Sequence, residues 1–328
     1  MSSTAAPPLF SVVIPTYNRA AKVVRAVESV LAQTCSDYDV WVIDDGSTDT
    51  TPHSLAPYLD RIHYIQQANG GVAQARNRGM QASRGSYIAL LDSDDRWHPQ
   101  KLAATARAIA AQPRAGLFYS QWEVVDQTGA RLWVDRSRDA SSSPKGGDAS
   151  SSPPAYLTLL KGDFLATSSA VIQRACLEAV GGFDAHMSPC EDWDLWLRIS
   201  RQYPIQYIPE ILVAFEHTRR DKLTSNIQPW LAAHDRVIAK AFAAHPTLSA
   251  QVRRAVLANL EYIKGRVCLQ AASEGQALLY FRQAVVIQPT LLKAQGYVLV
   301  LSSPRIRRLL PLALRRRMRL PAELGEVA

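Results

Sequence analysis

The chain has 328 residues, 47% of them hydrophobic and 20% charged, a composition that excludes general disorder and supplies a sizeable core. Its net charge is +8, but residues 305–328 alone carry seven arginines and two glutamates, which is +5 and leaves +3 for the body. Because basic and aromatic residues do not interleave along that body, we predict no nucleic-acid partner, and acidic lipid is the partner that the tail favours.

The cysteines and the N-terminus indicate a reducing compartment. Cys35, Cys176, Cys190 and Cys268 are scattered without CxxC spacing, so we expect reduced, structural thiols. The start, MSSTAAPPLF, lacks the basic and apolar regions of a signal peptide, and no stretch reaches the roughly 18 apolar residues of a membrane span. We therefore expect a cytoplasmic protein, with the tail as a candidate for peripheral contact with the inner face of the membrane.

Short apolar runs alternate with helical patterns through the first half of the chain. The runs are Phe10–Ile14, Val40–Ile43, Ile62–Ile65 and Tyr87–Leu91, and helices are predicted near Arg19–Ala32 and Val72–Ser83. Such alternation is typical of crossover units on a parallel sheet. The fold class predicted is α/β, with a mixed, mostly parallel nucleotide-binding sheet flanked by helices and a helical C-terminal extension.

Polar clusters follow three of these runs. Pro15, Thr16, Tyr17 and Asn18 follow the first, Asp44 to Asp49 follow the second, and Asp92, Ser93, Asp94 and Asp95 follow the fourth. Ligands of open α/β sheets gather beyond the carboxyl ends of the strands. Three carboxylates in four positions are costly to desolvate unless a divalent cation or its ligand compensates them, so we predict a metal and phosphate site here.

The middle of the chain is less regular. Further strands are predicted at 116–126 and 131–134, then a strand over Ser168–Gln173 and a helical turn over Ala175–Val180. Residues 135–154 are rich in serine, glycine and proline, which predicts a surface loop. Two interpretations of this loop stay open: a solvated insertion without function, and a flexible cover over the acceptor side.

Residues 191–199 show helical spacing. Trp193, Trp196, Leu197 and Ser200 share the inward face, and Asp192 faces elsewhere in the first turn, where the helix dipole stabilises an anion. Trp193 and Trp196 are candidates either for stacking on the rings of a bound ligand or for core packing.

The C-terminal third is predicted to be helical. Residues 276–289 have the spacing and closing proline of a tetratricopeptide second helix, and a simple helical extension is the alternative. Residues 304–320 mix arginines with leucines around Pro311, which indicates either an interfacial element or a solvated tail. We predict three parts: a catalytic domain over 1–225, a helical extension over 226–303, and a basic tail over 304–328.

Six blocks of the sequence occur in the order of a known family. They are SVVIPTYNRA at 11–20, VIDDGSTD at 42–49, GVAQARNRG at 71–79, ALLDSDD at 89–95, GGFD at 181–184 and EDWDLWLR at 191–198. Together they resemble family 2 glycosyltransferases of the GT-A fold, over roughly residues 10–220. The resemblance implies an inverting transfer of sugar from a nucleotide-diphosphate donor. Our hypothesis is a UDP-sugar donor and a glycan or lipid-linked acceptor in surface polysaccharide assembly, and the lipid part rests on the basic tail only.

The chemistry of such a transfer agrees with the acidic segment. A doubly charged diphosphate leaves, and a divalent cation, Mg²⁺ or Mn²⁺, can offset its charge as a Lewis acid. By resemblance Asp94 is the direct metal ligand with Asp92 nearby, and Asp95 supports donor-sugar or backbone contacts. His217, before a basic segment, is a candidate for metal or phosphate contact or an ordinary loop histidine.

The resemblance also implies the nucleotide contacts. Pro15, Thr16 and Tyr17, followed by Asn18, form the wall of the base pocket. Asp44 or Asp45 accepts a hydrogen bond from a uracil-type imide, and the choice between them stays open. Gly71 and the residues to Asn77 open a helix whose amides favour phosphate, and Arg76 adds a forked donor for the diphosphate. The nucleotide set is Pro15, Thr16, Tyr17, Asn18, Asp44, Asp45, Gly71, Arg76, Asp92 and Ser93.

An inverting transfer needs one base to take the proton of the acceptor hydroxyl. The family motif similar to Glu191-Asp192 assigns that role to Asp192, with Asp194 and Glu191 as possible substitutes. The set in contact with donor or acceptor is Asp95, Glu191 and Trp193.

Two rival functions remain. A sugar nucleotidyltransferase shares the α/β layout but relies on a glycine-rich loop near the N-terminus, which PTYNRA does not offer. A catalytically silent binding module that recruits partners through the C-terminal helices has no need of Asp92, Asp94 and Asp192 together.

Overall fold

The computed structural model describes residues 6–126, 128–134, 154–216, 227–303, 305–306 and 318. The chain divides into two compact units, the first covering Met1–Leu159 and Asp163–Arg219 and the second covering Leu160–Gly162 and Arg220–Ala328. His217 lies outside the described residues, as do the predicted loop apart from Pro154 and nearly all of the basic tail.

The first unit contains a nine-stranded sheet. Its strands are β1 (Phe10–Thr16), β2 (Tyr38–Asp44), β3 (His63–Gln66), β4 (Tyr87–Leu90), β5 (Asp95–Trp97), β6 (Leu117–Val125), β7 (Arg131–Val134), β8 (Val171–Gln173) and β9 (Ile205–Glu216). The helices are α1 (Ala20–Leu31), α2 (Thr51–Leu55), α3 (Val72–Ala82), α4 (Lys101–Ala111), α5 (Pro154–Leu160), α6 (Arg174–Val180) and α7 (Glu191–Gln202).

The strand order is β3-β2-β1-β4-β8-β6-β9-β5, with β7 paired to β6. Strands β1 to β4 run parallel where they pair, β8 lies antiparallel between β4 and β6, and β5 pairs antiparallel with β9. All seven residues of β1 are buried, as expected of a central strand covered on both faces. The carboxyl ends of β1, β2 and β4 therefore meet at one rim of the sheet.

Helix α3 lies unusually close to this sheet because of one glycine. A Cβ atom built on Gly79 would lie 2.5 Å from Cγ1 of Val13 and 3.1 Å from Cγ1 of Ile43, so no larger residue fits without movement. This close approach places the N-terminal half of α3, with Arg76, beside the rim.

The structure differs from the sequence predictions at two short elements. Strand β8 begins at Val171, and Thr167–Ser169 form a 3₁₀ turn where a strand was predicted. Asp95 begins the three-residue strand β5, which the sequence did not predict. Both depend on pairing partners or hydrogen bonds from distant segments, which periodicity does not encode.

The second unit contains helices α8 (Gln228–Ala244), α9 (Ala250–Gln270), α10 (Glu274–Ile287) and α11 (Leu292–Ser302). Helices α9 and α10 pack against each other across a three-residue connection. Phe281 is fully buried, stacks on Tyr297 with ring centroids 4.5 Å apart, and fills the space left by Gly265. A tetratricopeptide repeat remains a prediction for these helices. Across the described residues, none of the helices combines the length and apolar character that crossing a membrane requires.

Candidate active site

The loop after β1 offers an exposed ring beside a buried hydroxyl. Thr16 lies opposite Asp44 in the register of β1 and β2. Its Oγ1 is buried and has no hydrogen-bond partner among the described residues, which is unusual for a buried hydroxyl. Tyr17 follows with 46% of its surface exposed. Pro15 and Thr16 are the last two residues of β1, so the strand fixes their position at the rim.

Asn18 connects this loop to the loop after β2. Its Oδ1 accepts hydrogen bonds from the backbone N–H of Thr48 at 2.8 Å and of Asp49 at 3.2 Å, and its own N–H donates to Ser47 Oγ at 2.9 Å. Its φ of 52° is a left-handed conformation that asparagine tolerates better than most residues. The side chain predicted to bind nucleotide therefore holds two loops of the rim together.

Asp44 and Asp45 have different partners. Asp44 is fully buried, and its oxygens accept hydrogen bonds from Ser47 N–H at 2.8 Å and from Tyr64 Oη at 2.5 Å. Burial and this bond to Asp44 raise the pKa of the Tyr64 phenol.

Asp45 instead holds the segment that leads into α3. It accepts from Gln67 Nε2 at 2.7 Å and from the amides of Gly70 at 3.0 Å and Gly71 at 2.8 Å. The Gly71 amide, which was predicted to face phosphate, is thus bound to a carboxylate.

Basic side chains from the start of α1 and from α3 partly neutralise the acidic segment after β4. Arg19 immediately precedes α1, and Lys22 lies in its first turn. Asp92 Oδ1 accepts from Arg76 Nη2 at 2.7 Å. Asp94 Oδ2 pairs with Arg19 Nη1, and Lys22 Nζ lies 3.9 Å from the same oxygen. Asp92 and Asp94 keep 29% and 32% of their side chains exposed. Asp92 and Asp94 thus each have their own basic partners, which come from elsewhere in the chain.

Asp95 differs from its two neighbours because it points into the protein. It is 5% exposed, and its Oδ2 accepts from Ser168 Oγ at 2.5 Å. Burial and then the charges of Asp92 and Asp94 hold the pKa of its carboxyl group well above the usual range. Ser93 is also buried.

Arg76 is the buried centre of the site. Its guanidinium bonds Asp92 through Nη2 and Glu191 Oε1 through Nη1 at 2.9 Å, and it lies over the Phe183 ring, 5.2 Å from the centroid. Only 4% of the residue is exposed. Burial lowers the pKa of Arg76, but the two carboxylates raise it by more than burial lowers it. The guanidinium group therefore stays positively charged. The side chain thus bridges two protein carboxylates, and its predicted contact with a diphosphate remains a prediction.

The first turn of α7 places Asp192 beside this bridge. Its Oδ2 accepts from Thr167 Oγ1 at 2.8 Å and its Oδ1 from the Trp193 amide at 2.8 Å. Burial raises the pKa of Asp192, and Arg76 opposes that effect while Glu191 adds to it. Glu191 is buried, and its Oε2 has no hydrogen-bond partner among the described residues.

Two other residues of α7 have partners within the protein. Trp193 is 2% exposed and its Nε1 donates to the Leu159 carbonyl at 2.8 Å, which favours the core-packing alternative. Asp194 is buried and forms an ion pair with Arg198 at 2.9 Å, and its role as a substitute base remains a prediction. Arg198 in turn donates to three carbonyl groups at Val180, Gly181 and Gly182.

The GGFD block at 181–184 is fastened to α3 by a reciprocal pair of hydrogen bonds. Asn77 Nδ2 donates to the Phe183 carbonyl, and the Phe183 amide donates to Asn77 Oδ1, both at 2.8 Å. Gly182 has no room for a Cβ, which would lie 2.5 Å from Asn77 Oδ1. This contact keeps Phe183 under the Arg76 guanidinium.

Asp92 and Asp94 have the donor chemistry that Mg²⁺ or Mn²⁺ requires. Each has one oxygen paired with a cationic side chain and keeps part of its surface open. Within the part of the chain that the structure describes, three or more His, Cys, Asp or Glu side chains do not come together as a ligand cluster. Mg²⁺ commonly takes only one or two carboxylates and completes its shell with substrate phosphates and water, so the two aspartates fit a metal that binds with the nucleotide.

Sequence reasoning missed several residues of the site. Arg19, Thr167, Ser168 and Arg198 each bond an acidic or backbone group at the rim. Arg19 and Arg198 stand inside two of the six sequence blocks, which was a usable signal. Thr167 and Ser168 stand outside all six, and no pattern in the sequence indicated them.

The chain is similar in sequence to known glycosyltransferases. Residues 11–164 match the profile of the family described as Glycosyl transferase family 2. An uncharacterized glycosyltransferase of Rickettsia prowazekii is 30% identical over 207 residues, 63% of this chain and 63% of that protein. Chondroitin synthase of Escherichia coli is 28% identical over 212 residues, 62% of this chain and 28% of that protein. The chain thus matches less than two thirds of the length of either relative.

Solved structures share the fold at low sequence identity. S. aureus TarS 1–349 has a TM-score of 0.58 at 16% identity, covering 89% of this chain and 88% of that one. The mannosyltransferase PcManGT of Pyrobaculum calidifontis, in complex with GDP-Man and Mn²⁺, has a TM-score of 0.57 at 18% identity, covering 92% and 83%. These likenesses define the architecture as the GT-A fold of glycosyltransferases. Residues 11–164, just under half of the chain, match a glycosyltransferase family 2 domain.

We predict that Arg76→Met destabilises the first unit by about 3 kcal/mol, because it leaves the buried Glu191 and the partly buried Asp92 without their cation. Denaturant unfolding followed by tryptophan fluorescence measures this, since six of the seven tryptophans lie before residue 200.

Two variants make the Arg76 experiment specific. Arg107→Met removes an exposed ion pair with Glu210 and should change stability by less than about 1 kcal/mol. Adding Glu191→Gln to Arg76→Met should recover part of the loss. Equal stability of Arg76→Met and wild type would contradict the buried bridge.

Proposed function

We propose that the protein is a metal-dependent, inverting glycosyltransferase that transfers a sugar from a nucleotide-diphosphate donor to a glycan or lipid-linked acceptor in surface polysaccharide assembly. The observation that carries this proposal is the Asp92–Arg76–Glu191 bridge. It connects the acidic segment after β4 to the first turn of α7, so the groups for the leaving diphosphate and for the incoming alcohol belong to one buried network.

The loop after β1 is the proposed wall of the nucleotide base pocket. The exposed Tyr17 ring offers a face for stacking, and the unpartnered Thr16 Oγ1 is a group that a base or ribose can satisfy. TarS has been solved with UDP-GlcNAc and PcManGT with GDP-Man. A UDP-sugar remains our proposal for this chain, with Asp44 or Asp45 as the group beside the base.

The proposed reaction is a single displacement. The acceptor oxygen forms a bond to the anomeric carbon, the bond from that carbon to the diphosphate oxygen breaks with its electron pair, and the acceptor proton passes to Asp192. Asp92 and Asp94 are the proposed metal ligands. When bound, a divalent cation would offset the negative charge of the departing diphosphate. Arg19 and Lys22, which lie beside Asp94, add to that charge.

Asp192 is suited to act as the base because its environment balances opposing effects. Burial raises its proton affinity, whereas Arg76, Thr167 and the Trp193 amide stabilise its charged form. Each oxygen accepts one hydrogen bond from the protein, so a further lone pair on each remains for the acceptor proton.

We predict that Asp192→Asn lowers the rate of sugar transfer by about 10²–10⁴-fold while nucleotide binding changes by less than about twofold, because only the proton acceptor is lost. Release of nucleoside diphosphate with acceptor present measures the rate, and calorimetry measures binding. Asp60→Asn, an exposed aspartate, is the matched control and should keep wild-type activity. Full activity of Asp192→Asn would remove the base assignment.

We predict that Asp94→Ala weakens UDP binding at least about tenfold in Mn²⁺ but not in EDTA, because only the metal-dependent part of the affinity is lost. Titration calorimetry in both buffers measures the difference, with Asp60→Ala as the control. A wild-type protein whose UDP affinity is the same with and without Mn²⁺ would refute metal dependence.

The basic tail carries the proposed membrane contact, and a cytoplasmic, peripheral location goes with it. We predict that Arg315→Gln, Arg316→Gln and Arg317→Gln together lower binding to vesicles containing phosphatidylglycerol by up to about 100-fold, since each arginine near an anionic surface contributes roughly 1 kcal/mol. Co-sedimentation measures the bound fraction. Arg61→Gln, Arg84→Gln and Arg114→Gln together remove the same charge from exposed positions in the first unit and should leave binding unchanged. Equal losses in both triple variants would remove the role of the tail.

A further inference from the structure

Residues Thr167, Ser168 and Ser169 form a buried 3₁₀ turn between α5 and β8. Ser168 and Ser169 are fully buried and Thr167 is 7% exposed. Neither the six sequence blocks nor the matched residues 11–164 include this turn. Two of its residues nevertheless bond different parts of the site, and the third bonds a buried lysine.

Ser168 fastens the turn to the acidic segment. Its Oγ donates to Asp95 Oδ2 at 2.5 Å and accepts from the Asp92 amide at 3.0 Å. Its carbonyl accepts from Trp97 Nε1 at 2.8 Å. The position of the turn is therefore fixed relative to residues 92–97 by three hydrogen bonds.

A buried lysine supports the turn from behind. Lys101 Nζ donates to the Ser169 carbonyl at 2.6 Å and lies 3.4 Å from Ser120 Oγ. Burial lowers the pKa of Lys101 to about 7, and no carboxylate is bonded to it among the described residues. The hydrogen bond from this buried amine fixes the position of the Ser169 carbonyl.

Thr167 connects this fixed turn to Asp192. Its Oγ1 donates to Asp192 Oδ2 at 2.8 Å, and the Trp193 amide occupies Oδ1. With one donor on each oxygen, the plane of the carboxylate has a single orientation. The hydroxyl also stabilises the ionised form, because a hydrogen bond to a carboxylate favours its charge.

A second carboxyl group competes with Asp192 for a proton. Asp163 lies on the segment that leads to the turn, and its Oδ1 accepts from the Leu165 amide at 3.0 Å. The residue as a whole is exposed. Desolvation of its carboxyl group and then the charge of Asp192 raise the pKa of Asp163. The charged groups that face Asp192 are therefore Arg76, which favours its ionisation, and Glu191 and Asp163, which oppose it.

We propose that Thr167 is a positioning residue for Asp192, holding its carboxylate in one orientation and coupling that orientation to the acidic segment through the 167–169 turn. The inference rests on the proposed function, in which Asp192 accepts the proton of the alcohol. Thr167 bonds Asp192 and not Asp163, so its hydroxyl group stabilises the ionised form of Asp192 alone. The rate of transfer rises with pH as Asp192 loses its proton. Because the Thr167 hydroxyl group favours the ionised carboxylate, this rise occurs at a lower pH than it would without the hydroxyl group.

The test compares Thr167→Val, which keeps the shape and loses the hydroxyl, with Thr167→Ser, which keeps the hydroxyl. In Thr167→Val we expect the acidic limb of the kcat profile to move about one to two pH units higher, because a hydrogen bond to a charged group is lost. On that limb kcat falls about tenfold or more, while KM for the donor changes less than about twofold. Thr167→Ser should restore the wild-type limb.

Two further variants separate this role from a purely structural one. Ser169→Ala removes a hydroxyl that bonds only the Ala166 carbonyl within the turn, so its pH profile should match wild type. Asp163→Asn removes the competing charge, so its acidic limb should move to lower pH, opposite to that of Thr167→Val. This second arm remains informative if Thr167→Val fails to fold.

The outcomes distinguish this inference from the proposed function. If Asp192→Asn abolishes transfer and Thr167→Val keeps the wild-type pH profile, the inference is overturned and the function stands. If Asp192→Asn retains transfer, the proposed base fails first. A limb that moves upward, or does not move, in Asp163→Asn would overturn the competition between the two carboxyl groups.

Discussion

The contact on which the rest of the site depends is the buried guanidinium of Arg76 between Asp92 and Glu191. A cation and two anions removed from water are costly unless each has a well-placed partner. The planar fork of arginine satisfies two carboxylates at once, which a lysine cannot do with the same geometry. Asp92 belongs to the segment after a parallel strand and Glu191 to a helix about 100 residues later. One side chain therefore sets the distance between two halves of the site.

The acidic residues around this bridge are compensated in different ways. Asp94 has Arg19 and Lys22, Asp194 has Arg198, and Asp45 has backbone amides. Asp95 has a serine hydroxyl and a raised pKa, so burial and neighbouring charge favour its neutral form. Asp192 lies between these extremes, with both a cation nearby and hydroxyl support. Chemically identical side chains within one short region thus have different electrostatic surroundings.

The sequence predicted the elements whose signal is local. The four apolar runs became β1 to β4. Of these, β1 and β4 are buried along their whole length, as strands covered on both faces are. Their order placed the polar clusters at one rim, and the links of Asn18 to Thr48 and of Asp45 to Gly71 agree with that placement.

Long-range pairing was not predictable in the same way. Strand β5 has three residues, two of them charged, and exists because β9 supplies its partner more than 100 residues later. Arg76 suits phosphate and carboxylate equally well by residue type, so only the fold distinguishes the two uses. The pairing of Arg19 with Asp94 and the turn at 167–169 likewise depend on contacts between distant segments. The metal ligands and the nucleotide base of the donor remain predictions for a different reason. The metal ion and the nucleotide are not part of the chain.

The insertion of β8 between β4 and β6 has a consequence for synthesis on the ribosome. Strands β1 to β4 can pair as soon as they emerge, but one edge of β4 must wait about 80 residues for β8. At typical elongation rates that delay lasts several seconds, during which a flat apolar strand exposes its backbone to other chains. The nascent protein is therefore most prone to aggregate in this interval, and occupancy of that edge by a chaperone would protect it.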